Sequence, residues 1–377
     1  MRIISRGIVN QGVAGGPRAV SSFPSVTVLP DGRLLATYRV GSTKDSDDET
    51  VEFRFSSDSG ESWSEPAQPF PPPAPGKTGS VRVIYVTTLE GAHLIAAALW
   101  IDRESYPGQP LFNPETEGCL PMAVLLSDSF DLGHTWTDWR TVPIPDEIGP
   151  PSLTNPILRF HSGRMALSIE SNKPYLDRSR WLQKVVHIGS DDGGRTWLPP
   201  SEVCSDPAGR VFHWDQRAAV TPDGSLVAFS WTYDREANCY LDIRRHRSSD
   251  EGRSWTAPEE IGITDQPSHP AILPDGRIVL AWVDRFGTCS IRARMAAHAD
   301  AAFKPETEVV LLDRGRPAAS TTTTSEMLAD MSIWTFGLPY AEALPDGSVL
   351  VLYYAGDSRS MGIHWVRLDT GVNSAPG

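Results

Sequence analysis

"SSDSGESW", residues 56–63, returns three more times in the 377-residue chain: as "SFDLGHTW" at 129–136, "SDDGGRTW" at 190–197 and "SSDEGRSW" at 248–255. Four copies fixed at Ser, Asp, Gly and Trp mark an internal repeat, and a repeat decides the architecture before any other feature does. The chemistry of the motif is local. Short Ser and Asp side chains bond backbone amides within their own turn, Gly permits the reversal, and Trp buries a large ring against the neighbouring sheet. The motif reads as a structural staple without chemistry of its own.

A second signal runs in step with it, a Pro-Asp-Gly turn followed by an apolar run. It occurs as "LPDGRLLATY" (Asp31, Gly32), "TPDGSLVAFSW" (Asp223, Gly224), "LPDGRIVLAW" (Asp275, Gly276) and "LPDGSVLVLYY" (Asp346, Gly347), with weaker relatives at Glu90-Gly91 and Ser162-Gly163. Asp-Gly between apolar, β-branched runs signals a hairpin, because Gly tolerates the positive φ of a tight turn. The six turns lie 52 to 72 residues apart, room for four strands each. In the first four intervals the staple follows the turn by 25 to 39 residues, where a bend between third and fourth strands belongs. These spacings predict an all-β chain, a six-bladed β-propeller of four-stranded antiparallel blades filling residues 1–377 as a single domain. The last unit lacks an outer strand and "MRIISRGIV" has strand character, so residues near 2–9 are expected to close the ring and remove exposed sheet edges.

Composition agrees and narrows the function. Forty per cent hydrophobic residues with 12 Trp, 31 Gly and 32 Pro suit short strands punctuated by turns. No apolar run reaches the ~18 residues of a membrane span, and "MRIISRGIVNQGVAGG" lacks the apolar core of a secretory signal, so a cytoplasmic protein without a membrane partner is expected. A formal charge of −13 argues against nucleic-acid or anionic-membrane partners, but leaves room for a small anion in a locally basic pocket. Cys119, Cys204, Cys239 and Cys289 form no C-x-x-C pair, which argues against a zinc or redox motif. Buried free thiols are expected, with no cofactor and no metal.

Strand alternation places both kinds of turn on one face of the disc. The opposite face gathers the starts of the inner strands and the loops from second to third strands, and the site is expected there. Each of those loops carries an arginine: Arg39, Arg103, Arg178 with Arg180, Arg235, Arg285 and Arg359. Arginine suits planar, bidentate capture of a carboxylate, sulfate or phosphate. Trp100, Trp231, Tyr233, Trp282, Tyr353 and Tyr354 accompany them, either as a sugar platform or as packing between blades. Carboxylates complete the set, since glycoside cleavage normally uses two that flank the bond. Candidates on this face are Asp45, Asp47, Asp48, Glu170 and Asp215.

The four staples on a six-unit count resemble the sialidase (neuraminidase) superfamily, the BNR or Asp-box repeat proteins, over nearly the whole chain. The resemblance implies a Phe/Tyr-Arg-Ile-Pro motif in the first blade. Here "SSFPSVTVLPDG" keeps Pro24 but has Ser22 at the arginine position, with Arg18 the nearest substitute. The family's acid/base aspartate resembles Asp45, with Asp47 and Asp48 as alternatives. Its glutamate matches Asp215, its second clamp arginine matches Trp231 beside Arg235, and its tyrosine matches Leu338. Tyr340 stands two residues on, on the same strand face and ~7 Å along the axis.

A divergent member is implied, a glycoside hydrolase acting on an acidic or polyhydroxylated sugar. Asp45, Asp47 or Asp48 would be proton donor, Asp215 the second carboxylate and Tyr340 nucleophile or orienter. Arg39 and Arg285 would hold an anion, with Arg18, Arg235 and Trp231 as further substrate contacts. A non-catalytic carbohydrate-binding or scaffolding propeller is the rival reading. A sugar lyase using His213 or His269 as base is a third.

Overall fold

The computed structural model describes residues 1–71, 78–315, 328, 331 and 333–371. Both turn signals form the turns their chemistry dictates. Gly32, Gly224, Gly276 and Gly347 all adopt φ between 81° and 87°, a region closed to most side chains. The Gly32 N–H donates to the Leu29 carbonyl at 2.9 Å and joins strand Val20–Val28 to strand Leu34–Gly41.

In the staples, the Gly60, Gly133, Gly194 and Gly252 amides donate to the hydroxyls of Ser56, Ser129, Ser190 and Ser248 at 2.8–2.9 Å. The paired aspartate accepts the backbone amide four residues on, as Asp58 does from Ser62 at 2.9 Å. Trp63, Trp136, Trp197 and Trp255 then pack their rings against the cores below.

The strands form consecutive antiparallel meanders. Gly79–Thr88, Leu94–Asp102, Met122–Ser129 and Arg140–Thr141 make one four-stranded sheet; Ala271–Ile272, Ile278–Asp284, Ser290–Ala296 and Lys304–Asp313 make another. Two five-stranded sheets lie between them, covering Ser152–Ser205 and Val211–Thr264. The fifth sheet has seven strands. It joins Val20–Val28, Leu34–Gly41 and Thr50–Ser56 to the final meander Phe336–Ala343, Val349–Gly356 and Met361–Asp369 through a single parallel pair, Val20 with Met361. Among the described residues hydrogen bonding therefore gives five sheets, not the six blades that the turn spacing predicts, with that one pair joining the first and last meanders. The N-terminal strand Arg2–Asn10 runs antiparallel to Met361–Asp369, from Arg2 opposite Asp369 to Asn10 opposite Ile363.

The second strand of each meander is the most apolar and the most deeply covered. All nine residues of Leu94–Asp102 are buried and read as a nearly continuous apolar run, and all nine of Leu226–Asp234 are buried as well, Ser230, Thr232 and Asp234 included. The largest core combines Val9 and Val20 with Leu352 and Trp365, packing both ends of the chain into one cluster. First strands converge as well. Val28, Val86, Leu158, Val220, Ile272 and Ala343, one from each meander and near the Asp-Gly turns, surround a cavity of about 310 Å³.

Candidate active site

A larger cavity of about 410 Å³ opens at the other end of the same first strands, away from the Asp-Gly turns and staples. Each meander contributes a residue from its leading segment: Phe23, Arg82, Thr154, Asp215, Gln266 and Leu338. Four of the six strands break register here, between Ser22 and Ser25, Val81 and Val83, Trp214 and Arg217, and Gly337 and Tyr340. An extra residue in one strand of a pair kinks it and re-aims a side chain. Phe23, Asp215 and Leu338 take φ of 50°, 48° and 47°, a conformation uncommon for bulky residues and found at functional sites.

The bulge at Asp215 builds a carboxylate pair. It frees the Gln216 N–H from the strand ladder, and Glu170, at the end of strand Met165–Glu170, accepts that amide through Oε1 at 3.0 Å. Asp215 Oδ1 accepts from Arg217 at 2.5 Å and Oδ2 from Gln266 at 2.7 Å. Arg217 itself donates to the Tyr85 hydroxyl at 2.8 Å and to the Thr154 carbonyl. The two acids thus sit side by side in unlike settings. Burial first, and then the neighbouring Asp215 charge, push the Glu170 carboxyl up to about 8. Asp215 is held in place by a guanidinium and an amide that both donate to its carboxylate oxygens.

Opposite this pair, three guanidiniums face two carboxylates. Arg39, Arg82 and Arg103 all meet Glu49, the first at 2.5 Å and the last at 2.8 Å, while Arg82 and Arg103 also reach Asp45 Oδ1 at 2.5 and 2.9 Å. Burial opposes ionisation of Asp45, but Arg82, the Leu111 amide and Arg103 outweigh it and hold the carboxyl at about 2. Lys44 Nζ donates to the carbonyls of Met331 and Trp334 at 2.5 and 3.0 Å and to the Tyr354 hydroxyl at 2.9 Å.

Of the sequence candidates, Asp45, Glu170, Asp215, Trp231 and Tyr354 line this cavity. Asp45 is so firmly ionised that it is unsuited to donate a proton. Asp48 is exposed and ties down its own loop by accepting from the Ser42 amide and hydroxyl, and Asp47 lies 3.5 Å from Arg103 with its side chain mostly in solvent.

Tyr340 corrects the expectation drawn from it. The Gly337–Tyr340 bulge leaves Leu338 in the large cavity, and Tyr340 points to the far end, stacked on His269 with ring centroids 4.5 Å apart. Its burial carries the phenol well above its ordinary range, the reverse of what a nucleophile needs.

None of the four arginines assigned to substrate lines the cavity. Arg39 is 0% exposed and spent on Glu49. Arg285 is 1% exposed, paired with Asp265 at 3.0 Å and stacked 3.9 Å over Trp334. Arg18 pairs with Glu52, and Arg235 with Glu117 at 3.0 Å in a separate cleft of about 490 Å³. The physical reason is common to all four: a carboxylate within reach pairs with each guanidinium inside the protein. His213 and His269, the bases of the lyase reading, are buried outside the large cavity.

Arg82, Arg217, Gln266 and Lys44 went unread in the sequence. Arg82 and Arg217 interrupt first-strand apolar runs, "VRVIYV" and "DQRAAV", and an arginine inside an inner strand is the signal that could have found them.

No protein-family model matches the chain. A sialidase of Micromonospora viridifaciens is 26% identical over 202 residues, 47% of this chain and 30% of that protein, so the match spans under a third of the curated relative. Among solved structures, a protein of unknown function from Dyadobacter fermentans superposes with a TM-score of 0.71 at 21% identity, over 97% of this chain and 99% of that one. The intramolecular trans-sialidase of Ruminococcus gnavus gives 0.64 at 14% identity over 100% of both chains. A Penicillium chrysogenum α-L-arabinanase complexed with arabinobiose gives 0.64 at 15% identity over 98% and 99%. The chain resembles the sialidase superfamily, and it shares its all-β fold with glycoside-cleaving enzymes of differing specificity.

Proposed function

We propose that the chain is a single-domain, six-bladed sialidase-like propeller, its meanders acting as blades around one axis and the N-terminal strand completing the last, and that its large cavity hydrolyses glycosidic bonds. Glu170 is the proton donor and Asp215 the ionised partner. The observation that carries this reading is the setting of the two acids: Glu170 is buried and its carboxyl is pushed up to about 8, while Asp215 beside it accepts hydrogen bonds from Arg217 and Gln266. Paired titratable groups whose surroundings push their protonation apart are the usual signature of an acid and its partner.

In the reaction, the Glu170 proton passes to the departing glycosidic oxygen as the bond to the anomeric carbon breaks. Asp215 stabilises the positive charge developing on the sugar, then either bonds to the anomeric carbon or takes a proton from the water that does. The anomer first released distinguishes these routes. The substrate is a polyhydroxylated sugar in preference to one carrying a carboxylate, because Lys44, Arg82 and Arg217 are each already engaged by acceptors within the protein.

A panel of chromogenic glycosides, including sialosides, uronides, arabinosides and rhamnosides, tests the reading against wild type and Asp215→Asn. Turnover of a neutral glycoside with a loss of ~10²-fold or more in the variant supports it. A wild type that binds sugars but cleaves none of them establishes the non-catalytic reading instead.

A further inference from the structure

We propose that Cys204, His213 and His246 form a binding site for a borderline-soft transition-metal ion, zinc(II) foremost, sealed between the third and fourth meanders. Cys204 lies on strand Ser201–Ser205, the outer strand of the third meander; His213 on Val211–Val220 and His246 on Asp242–Ser248 belong to the fourth. Their exposures are 7%, 2% and 1%. One ligand atom from each lies within 4.8 Å of the other two.

The polar atoms of this cluster want partners. Nδ1 of His213 is buried without a hydrogen-bond partner, and His246 is buried with the Thr256 backbone as the one polar group its ring approaches. Cys204 Sγ lies 3.8 Å from the Ser230 hydroxyl. The two imidazoles do not serve one another, since their centroids are 6.2 Å apart and the planes cross at 69°. Buried polar groups are nearly always satisfied, and an orphaned set facing one point indicates an absent partner. A metal ion takes lone pairs from all three ligand atoms at once, whereas a water molecule has only two hydrogens to donate.

The geometry suits such an ion after a small contraction. Zinc bonds of about 2.3 Å to sulfur and 2.0–2.1 Å to nitrogen place tetrahedral ligand atoms roughly 3.4 Å apart, so from separations within 4.8 Å the trio closes by at most about 1.4 Å on binding. The Ser230 hydroxyl or a water fills the fourth position. The Cys204 thiol loses its proton to solvent as the metal–sulfur bond forms, and both imidazoles bind as neutral lone-pair donors. Spacings of nine and thirty-three residues hide the set from any local motif, which is why the cysteine pattern argued against a metal. The site clamps the third meander to the fourth two residues before Asp215, but its existence does not depend on the catalytic reading.

Cobalt(II) provides the direct test on the intact chain, freed of metal by dialysis against a strong chelator. The expected result is about one equivalent bound, with a thiolate-to-cobalt charge-transfer band that zinc bleaches, and a rise in Tm with zinc. Cys204→Ser removes the band, and His246→Gln reduces metal content below about a tenth of an equivalent. Metal analysis of the protein as purified identifies the resident ion; copper held with the same Cys204 dependence supports the same ligand set. Wild type that takes up no cobalt or zinc in excess, shows no charge-transfer band and keeps its Tm overturns the proposal, whether or not the variants fold. None of these readouts uses glycosidase activity, so this proposal and the catalytic one fail separately.

Discussion

Replacing Glu170 with Gln is expected to raise the stability of the folded chain at neutral pH while removing its proton donor. In the unfolded chain a glutamate ionises near 4.5, whereas in the fold burial and then Asp215 hold the group at about 8. Between those values the folded protein retains a proton that the unfolded chain has released. The folding stability supplied by protonated Glu170 is therefore complete below pH 4.5 and drains away as pH rises through 8. At 1.36 kcal/mol per pH unit the full loss is about 5 kcal/mol, of which about 3 kcal/mol has gone by pH 7. Gln carries no such proton, and its amide oxygen can still accept the Gln216 N–H that Glu170 holds at 3.0 Å. Urea unfolding at pH 5, 6, 7 and 8 measures the effect. The stability of the variant relative to wild type should climb by about 1.2–1.3 kcal/mol per pH unit between pH 5 and 7 and by about 1 kcal/mol from pH 7 to 8. A difference constant across the series would show that Glu170 is ionised in the folded protein and would refute the acid assignment.

Asp215→Asn removes the like charge beside Glu170, so in that variant the pH at which stability stops falling should move below 8, read from the same unfolding series. Arg285→Ala strands a buried Asp265, and loss of one partner from a buried pair costs about 3–5 kcal/mol, measurable by thermal unfolding. Asp58→Ala deletes the acceptor of the Ser62 amide and hydroxyl in the first staple and should cost about 1–2 kcal/mol with kcat unchanged. Tyr340→Phe should leave kcat/KM as it is, because the phenol faces the far cavity; a loss matching that of Asp215→Asn would restore it to the mechanism.

The repeat was legible because its chemistry is local: Ser56, Asp58 and Gly60 satisfy one another within five residues, and so do their counterparts in the other three copies. The face carrying the large cavity followed from strand alternation, and Glu170 and Asp215 followed from counting back and forward from the turns. What failed depended on partners distant in sequence. Nothing near Arg39 or Arg285 in the chain tells whether a carboxylate will reach them, and Glu49 and Asp265 do. Bulges defeated the count at Leu338 and Tyr340, because one added residue in a strand reassigns which neighbour faces inward. The same devices hid Arg82. The fusion of first and last meanders through Val20 and Met361 is likewise a contact between chain ends, invisible to turn spacing.

The leaving-group dependence of Glu170→Gln tests the catalytic account most directly. On a cleaved glycoside with an unactivated alcohol as leaving group, the variant should lose ~10²–10⁴-fold in kcat, since no proton reaches the departing oxygen. With a dinitrophenyl leaving group, which departs as a stable anion unaided, most of that loss should vanish. Equal losses on both substrates would contradict the assignment of Glu170 as the acid.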